Sequence, residues 1–132
     1  MSPAEAPVSP PGVGRVVAVV RDLFFVARIR ETARLADVPL GFAKTPEEVE
    51  AAVAAQPRFA ILDLTAGLDY ERIFGTLGGA GIPILGFTTH VLARETQPWH
   101  ARCDRVVTKE TLTQELPSLL REGPGAREGK TR

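Results

Sequence analysis

Six polar side chains directly follow short apolar runs of the sequence, a position from which they could act together chemically. Carboxylates bind divalent cations or attack electrophilic centres as nucleophiles, whereas cationic and hydroxyl groups bind phosphoryl oxygens. The residues therefore suit a metal site or a site that handles phosphoryl groups, provided that the fold brings them together. They are Arg21, Asp22, Asp63, Thr88, Thr89 and Lys109.

Asp63 is the most informative of these residues, because it lies within the apolar run 59–64, where an unpaired carboxylate is costly to bury. One interpretation is an aspartate that caps the backbone of the loop after a strand. The other is a nucleophile or a metal ligand at the edge of a sheet. Asp22 and Thr88 are open to similar alternatives, because either could simply cap a helix or a loop.

Five apolar runs recur along the chain and predict the strands that position these residues. The first, third and fourth are near-continuous in Val, Ile, Leu, Phe and Ala, a pattern typical of parallel strands buried on both faces. The predicted strands are 15–20, 39–43, 58–64, 82–87 and 104–107.

Longer segments with helical spacing separate these strands. The sequence TPEE at 45–48 combines a capping box with proline at the first helical position, and therefore predicts a helix start. Within 89–101, Pro98 is expected to disrupt the last turns of a continuous helix. The other helices are predicted at 23–37, 69–78 and 111–121.

Five alternations of strand and helix predict an α/β protein with a parallel sheet and right-handed crossovers. The small arrangements open to such a chain include a Rossmann-like half and a flavodoxin-like (βα)5 three-layer sandwich with strand order 2-1-3-4-5. We expect the second. In that order the first, third, fourth and fifth strands are successive neighbours, so the six polar residues converge on one edge of the sheet.

Composition excludes several function classes. The 16 basic and 16 acidic residues give zero net charge, which argues against a dedicated nucleic-acid binder. Cys103 is the sole cysteine, so no internal disulfide forms, and with only His90 and His100 beside it a zinc site is not expected. No apolar run approaches the roughly 18 residues of a membrane span. A cytoplasmic protein without a secretory signal is the expectation.

The two ends of the chain differ from its middle. Residues 1–14 are rich in proline and without periodic apolar pattern, which predicts a flexible arm. Residues 121–132 contain no large apolar side chain and predict a disordered tail. One domain is therefore expected at 15–120.

The core resembles the receiver domain of bacterial two-component response regulators over about 15–120. In that family an acidic pair follows the first strand, and a phospho-accepting aspartate ends the third. A Ser or Thr ends the fourth strand, and a Lys ends the fifth. The matching residues are Asp22 for the second acid, Asp63 for the acceptor, Thr88 for the hydroxyl residue and Lys109 for the lysine.

The resemblance implies a role for each matching residue. Asp63 would attack the phosphoryl group of a phosphodonor, with Mg²⁺ bound by Asp22, Asp63 and the backbone carbonyl of Thr65. Lys109 would pair with one phosphoryl oxygen and Thr88 would donate a hydrogen bond to another. Beyond this self-phosphorylation, the resemblance implies no enzymatic activity.

The sequence also departs from the family pattern. Arg21 replaces the first acid, which weakens the magnesium site, and its guanidinium could pair with Asp63 in place of the metal. Glu110 stands where the family usually has proline, and Val106 where it usually has an aromatic switch residue. The loop after Asp63 also lacks the usual proline and is shorter. These changes indicate a divergent receiver.

We expect a stand-alone signalling domain that acts through protein contacts, since no effector domain follows the core in this sequence. Its partner would be a histidine kinase, a downstream effector or a second copy of the chain, with Trp99 and Val106 as a candidate contact surface. One alternative is a pseudo-receiver that is never phosphorylated. Another is a flavodoxin-like domain that binds a small ligand, which requires a deep apolar pocket.

Overall fold

A computed structural model describes residues 14–124. The flexible arm proposed at 1–14 lies almost entirely outside these residues, and of the disordered tail proposed at 121–132 only 121–124 lies within them. The strands are β1 (Val16–Val19), β2 (Leu40–Ala43), β3 (Phe59–Asp63), β4 (Ile84–Thr88) and β5 (Arg105–Thr108). The helices are α1 (Leu23–Ala36), α2 (Pro46–Val53), α3 (Tyr70–Gly79), α4 (Ala93–His100), α5 (Lys109–Gln114) and α6 (Leu116–Glu122).

The five strands form one parallel sheet in the order β2-β1-β3-β4-β5. This order confirms the flavodoxin-like arrangement and excludes the Rossmann-like half. The register pairs Asp63 of β3 with Phe87 of β4, and Thr88 of β4 with Thr108 of β5. The predicted polar residues therefore end their strands at nearly the same level of the sheet.

Two apolar cores cover the two faces of the sheet and produce the three-layer sandwich. Helices α1, α5 and α6 pack on one face, with Ile29 and Leu120 fully buried against Ile61. Helices α2, α3 and α4 cover the other face around Leu62 and Ile73. Successive strand residues point to opposite faces, so near-continuous apolar runs supply both cores at once.

Side chains predicted to cap helices do so. Asp22 Oδ1 accepts hydrogen bonds from the amides of Phe24 and Phe25, at 2.9 and 3.2 Å, and begins α1. Thr45 Oγ1 accepts from the amide of Glu48 at 3.1 Å and begins α2. Both caps satisfy amides that have no partner within the helix.

Prolines produce two differences from the predicted helices. Pro98 lies inside α4, contrary to the expected disruption. Its missing N–H affects only the last turn, where Arg94 and Pro98 are exposed and water can satisfy the free carbonyl. The helix predicted at 111–121 is instead two helices, α5 and α6, because Pro117 cannot donate to the carbonyl of Thr113 and the chain bends at Glu115.

Helix α6 continues to Glu122, beyond the predicted end of the domain at 120. Arg58, just before β3, donates to the carbonyls of Leu120 and Arg121 at 2.5 and 2.6 Å. These bonds satisfy helix-end carbonyls that lack an intrahelical donor, and so hold the end of α6 to the start of β3. Within 14–124, none of the helices combines the length and apolar character needed to cross a bilayer.

Candidate functional site

The carboxyl ends of the strands surround an open cavity of about 600 Å³. Two of its lining residues are carboxylates and two are cations, so their formal charges sum to zero. The cavity joins residues from the ends of β1, β3 and β5, as the predicted strand order requires. It is lined by Arg21, Asp22, Asp63, Thr65, Ala66 and Lys109.

Asp63 lies at the floor of this cavity with only 7% of its surface exposed. Its Oδ1 accepts two hydrogen bonds from Thr65, one from the amide at 2.8 Å and one from the hydroxyl at 2.6 Å. Asp63 therefore caps the backbone of its loop, as one interpretation of the sequence proposed, while it also faces the cavity. Oδ2 is the oxygen that Thr65 does not engage.

Tyr70 holds the loop that follows Asp63, a role that reasoning from the sequence missed. Its hydroxyl donates to the carbonyl of Asp63 at 2.7 Å and accepts from the amide of Ala66 at 2.9 Å. Burial raises the pKa of Tyr70, so the hydroxyl keeps the proton that it donates. The feature of the sequence that could have indicated this role is the position of Tyr70 directly after Asp69, the N-cap of α3.

Lys109 begins α5 and enters the cavity beside Asp22. Its Nζ lies 3.5 Å from Asp22 Oδ2 and 4.9 Å from the centre of the Phe25 ring. The amide of Phe25, above all, lowers the pKa of Asp22, and the amide of Phe24 and the charge of Lys109 act in the same direction. The lysine expected to face Asp63 therefore pairs with the first-strand carboxylate.

Thr88 is buried and turns toward α4, and it is not among the residues that line the cavity. Its Oγ1 lies 2.9 Å from the hydroxyl of Thr96, which in turn lies 2.8 Å from Nε2 of His100. Thr89 accepts from the amide of Leu92 at 3.1 Å and so caps the loop before α4. The Thr88 hydroxyl therefore lies at the expected edge of the sheet, where the strands end, but on the face covered by α4.

Solved structures of response regulators share this fold at low sequence identity. One from Hahella chejuensis has a TM-score of 0.66 and 18% identity, over 86% of this chain and 94% of that one. A response regulator receiver protein from Burkholderia phymatum has a TM-score of 0.64 and 20% identity, over 81% and 94%. A response regulator in red light signaling of R. palustris has a TM-score of 0.64 and 13% identity, over 82% and 89%.

This chain has the receiver fold. No protein-family model and no curated protein matches the sequence. At identities of 13 to 20% the solved structures establish the architecture, and the chemistry must be inferred from the side chains.

The donor set of this receiver-fold cavity does not fit a divalent cation. Among residues 14–124, no group of three or more His, Cys, Asp or Glu side chains is arranged to hold a metal ion. Both oxygens of Asp22 are engaged, one by the start of α1 and one by Lys109. The cations of Arg21 and Lys109 also offset the negative charge that Mg²⁺ requires.

Trp99 and Val106, the candidate contact residues, are half-buried and pack against the core beneath α2, α3 and α4. The Trp99 ring stacks on Phe74 with 5.7 Å between centroids and an interplanar angle of 17°. A second contact joins Trp99 to Tyr70, at 5.5 Å. Trp99 therefore fastens α4 to α3, and its remaining exposed part is the area available to a partner.

Proposed function

We propose that this chain is a receiver-like signalling protein that accepts a phosphoryl group on Asp63 and signals through protein contacts. The observation that carries the proposal is the placement of Asp63, a buried carboxylate that faces an open cavity holding two cations. A buried carboxylate beside positive charge is suited to covalent chemistry at phosphorus. We propose no enzymatic activity beyond this step.

The reaction is an attack of Asp63 Oδ2 on the phosphorus of a small phosphodonor such as acetyl phosphate. A bond forms between Oδ2 and phosphorus, while the bond from phosphorus to the acetate oxygen breaks and acetate leaves with the electron pair. Thr65 holds Oδ1 through its amide and hydroxyl, which orients the carboxylate before attack. An acyl phosphate on Asp63 is the product.

Arg21 and Lys109 supply the positive charge that this transfer requires. The transferred group carries negative charge on its outer oxygens, and a planar guanidinium binds two such oxygens at once. Arg21 stands where receivers carry an acid, so its charge takes the place of a divalent cation. We therefore propose that labelling of Asp63 proceeds without magnesium.

The signal is passed on by contact with another protein, a histidine kinase or a downstream effector. Leu23 and Phe24 directly follow the cavity residue Asp22 and are 68% and 90% exposed. Val91, in the loop after β4, is 85% exposed. Exposed apolar side chains close to a modification site are well placed for a partner that recognises the modified state.

The test is incubation of the full chain with acetyl phosphate, with and without EDTA, followed by intact-mass measurement. We expect the added mass of one phosphoryl group under both conditions, and none in Asp63→Asn. Arg21→Gln should slow labelling on the order of a hundredfold, the effect of removing one preorganised charge from such a site. Arg28→Gln, which changes an exposed arginine of α1 outside the cavity, is the matched control and should label at the wild-type rate.

Two outcomes would contradict the proposal. Absence of labelling under every condition would exclude Asp63 as an acceptor. Labelling that requires Mg²⁺ and is unaffected by Arg21→Gln would exclude the metal-free part. Arg21→Asp, which restores the acidic pair of the family, should make labelling dependent on magnesium.

A pseudo-receiver is the second candidate, and the position of Lys109 favours it. Its ammonium pairs with Asp22 and rests on the Phe25 ring, and both interactions compete with a phosphoryl group on Asp63. In that case acetyl phosphate and beryllofluoride leave the mass and the spectrum unchanged. A small-ligand flavodoxin-like function has less support, because four of the six residues lining the cavity are charged.

A further inference from the structure

A chain of three side chains runs from the end of β4 into α4 and ends on a histidine. Thr88 and Thr96 are both almost fully buried, and their hydroxyl oxygens lie 2.9 Å apart. His100 is half-buried one turn further along α4, with Nε2 lying 2.8 Å from Thr96 Oγ1. None of these three residues lines the cavity of Asp63.

The Thr96 hydroxyl, at the centre of this chain, has three polar neighbours but only one proton to donate. Thr96 Oγ1 lies near Thr88 Oγ1, near His100 Nε2 and, at 3.2 Å, near the carbonyl of Ala93. A threonine hydroxyl donates one hydrogen bond and accepts two, whereas a neutral imidazole nitrogen either donates or accepts. The state of His100 Nε2 therefore determines how the other protons of the chain are arranged.

The two states of Nε2 leave different arrangements open. When Nε2 carries no proton, Thr96 donates to it, and Thr88 then donates its own proton to Thr96. When Nε2 carries a proton, it donates to Thr96, whose own proton goes either to the carbonyl of Ala93 or to Thr88. When it goes to Thr88, the Thr88 proton is left with the carbonyl of Thr89 at 3.5 Å, a distance too long for a strong bond.

We propose that His100, acting through Thr96, determines whether the Thr88 hydroxyl is free to donate its hydrogen bond to a group other than Thr96. This inference rests on the proposed function for its consequence at Asp63: a phosphoryl oxygen there can receive the Thr88 proton only when His100 Nε2 is protonated. Thr96 and His100 are then positioning residues, and a phosphoryl group on Asp63 alters α4 through them. The buried chain couples the modification site to an outer helix.

The test is the tautomer ratio of His100, read from the imidazole ¹⁵N shifts of the full chain, with exposed His90 as internal reference. We expect a severalfold change of this ratio in Thr88→Val, although Thr96 lies between the two residues. Thr96→Val should abolish the effect of Thr88→Val, while Thr96→Ser, which retains the hydroxyl, should restore it. An unchanged His100 ratio in Thr88→Val would overturn the proposal.

A measurement on the unsubstituted protein covers the case in which a valine variant does not fold. We expect slow exchange of the Thr88 and Thr96 hydroxyl protons and a nuclear Overhauser contact from the Thr96 hydroxyl to the His100 ring. Rapid exchange of both protons with water would contradict the hydrogen-bonded chain from Thr88 to His100.

Beryllofluoride, a phosphoryl mimic, tests the link to Asp63 separately. We expect it to move His100 toward the Nε2-protonated form in the wild type and in Thr96→Ser, but not in Thr96→Val. Binding that leaves the His100 ratio unchanged would overturn the link. Failure of beryllofluoride to bind would contradict the proposed function. The response of His100 to Thr88→Val would still test the hydrogen-bonded chain from Thr88 to His100.

Discussion

At the scale of single residues, Asp63 and Lys109 are each held by neighbouring groups, which restrict the interactions that each can make. Asp63 is held by Thr65 at one oxygen and also lines the cavity, so the proposed nucleophile is at the same time the cap of its loop. Lys109 is engaged by Asp22 and by the Phe25 ring. A phosphoryl group on Asp63 would therefore compete with Asp22 and the Phe25 ring for this ammonium.

Tyr70→Phe tests how firmly the short loop after Asp63 is held. The substitution removes the donor to the Asp63 carbonyl and the acceptor of the Ala66 amide. Leaving such buried groups without partners costs about 1–3 kcal/mol. We expect a lower urea midpoint and faster hydrogen exchange at the Ala66 amide.

Thr76→Val, another hydroxyl deletion on α3, is the matched control for this prediction. It should change the urea midpoint little, because surface substitutions without a specific partner have small effects. Equal exchange rates at Ala66 in Tyr70→Phe and in the wild type would show that the tyrosine does not hold the loop.

At the scale of elements, β4 approaches the segment after α4 so closely that only glycine fits. A Cβ at Gly86 would lie 2.6 Å from Cys103 Sγ and 3.2 Å from Leu64 Cδ1. Burial raises the pKa of Cys103 to about 12, so this thiol is a neutral packing group at physiological pH. The contact between Gly86 and Cys103 therefore fixes how near the end of α4 comes to the sheet.

Gly86→Ala should destabilise the protein by about 1–3 kcal/mol, the usual cost of overpacking a core. In a Cys103→Ala background the same substitution should cost much less, because the nearer of the two clashing atoms is gone. The measurement is a double-mutant cycle of urea unfolding. Strict additivity of the two substitutions would contradict the close contact.

The helices differ in how much of them could be predicted from the sequence. Asp22 and Thr45 cap α1 and α2 as predicted, because capping depends on residues within one turn. The predictions around Pro98 and Pro117 were wrong. Whether a proline ends, bends or leaves a helix intact depends on how the freed carbonyl is satisfied, and that is decided by exposure in the folded protein.

For the molecule as a whole, the net charge is zero, and folding stabilises some of the carboxylates in their charged form. The guanidinium of Arg72 lowers the pKa of Glu50, and that of Arg34 lowers the pKa of Glu31. A carboxyl whose pKa is lower in the folded state stabilises the protein above its unfolded pKa. That stability is lost as the pH falls through the folded value.

We therefore expect stability to decline as the pH falls below the ordinary glutamate value of 4.5. Arg72→Met should lower the urea midpoint at neutral pH, and its difference from the wild type should vanish in acid. Since these groups are exposed, salt should weaken the effect. Arg94→Met, which alters an arginine with no ion pair found among residues 14–124, is the control. An Arg72→Met effect independent of pH would contradict the assignment.

The sequence by itself determined the alternation of strands and helices and the placement of the polar residues after the strands. Near-continuous apolar runs are stable only when both faces of a parallel sheet are covered, so the architecture follows from local pattern and burial. The convergence of Asp22, Asp63 and Lys109 followed from that architecture.

The strand order was expected from the sequence and confirmed by the structure, but only the tertiary structure decided the partner of each polar group. Lys109 meets Asp22, Thr88 meets Thr96, and Tyr70 closes the loop of Asp63. Each of these contacts joins residues on different elements, and the same side chain could point to another neighbour at little cost in its own backbone. The sheet order determines which neighbours are within reach, and the two packed cores fix which of them is met.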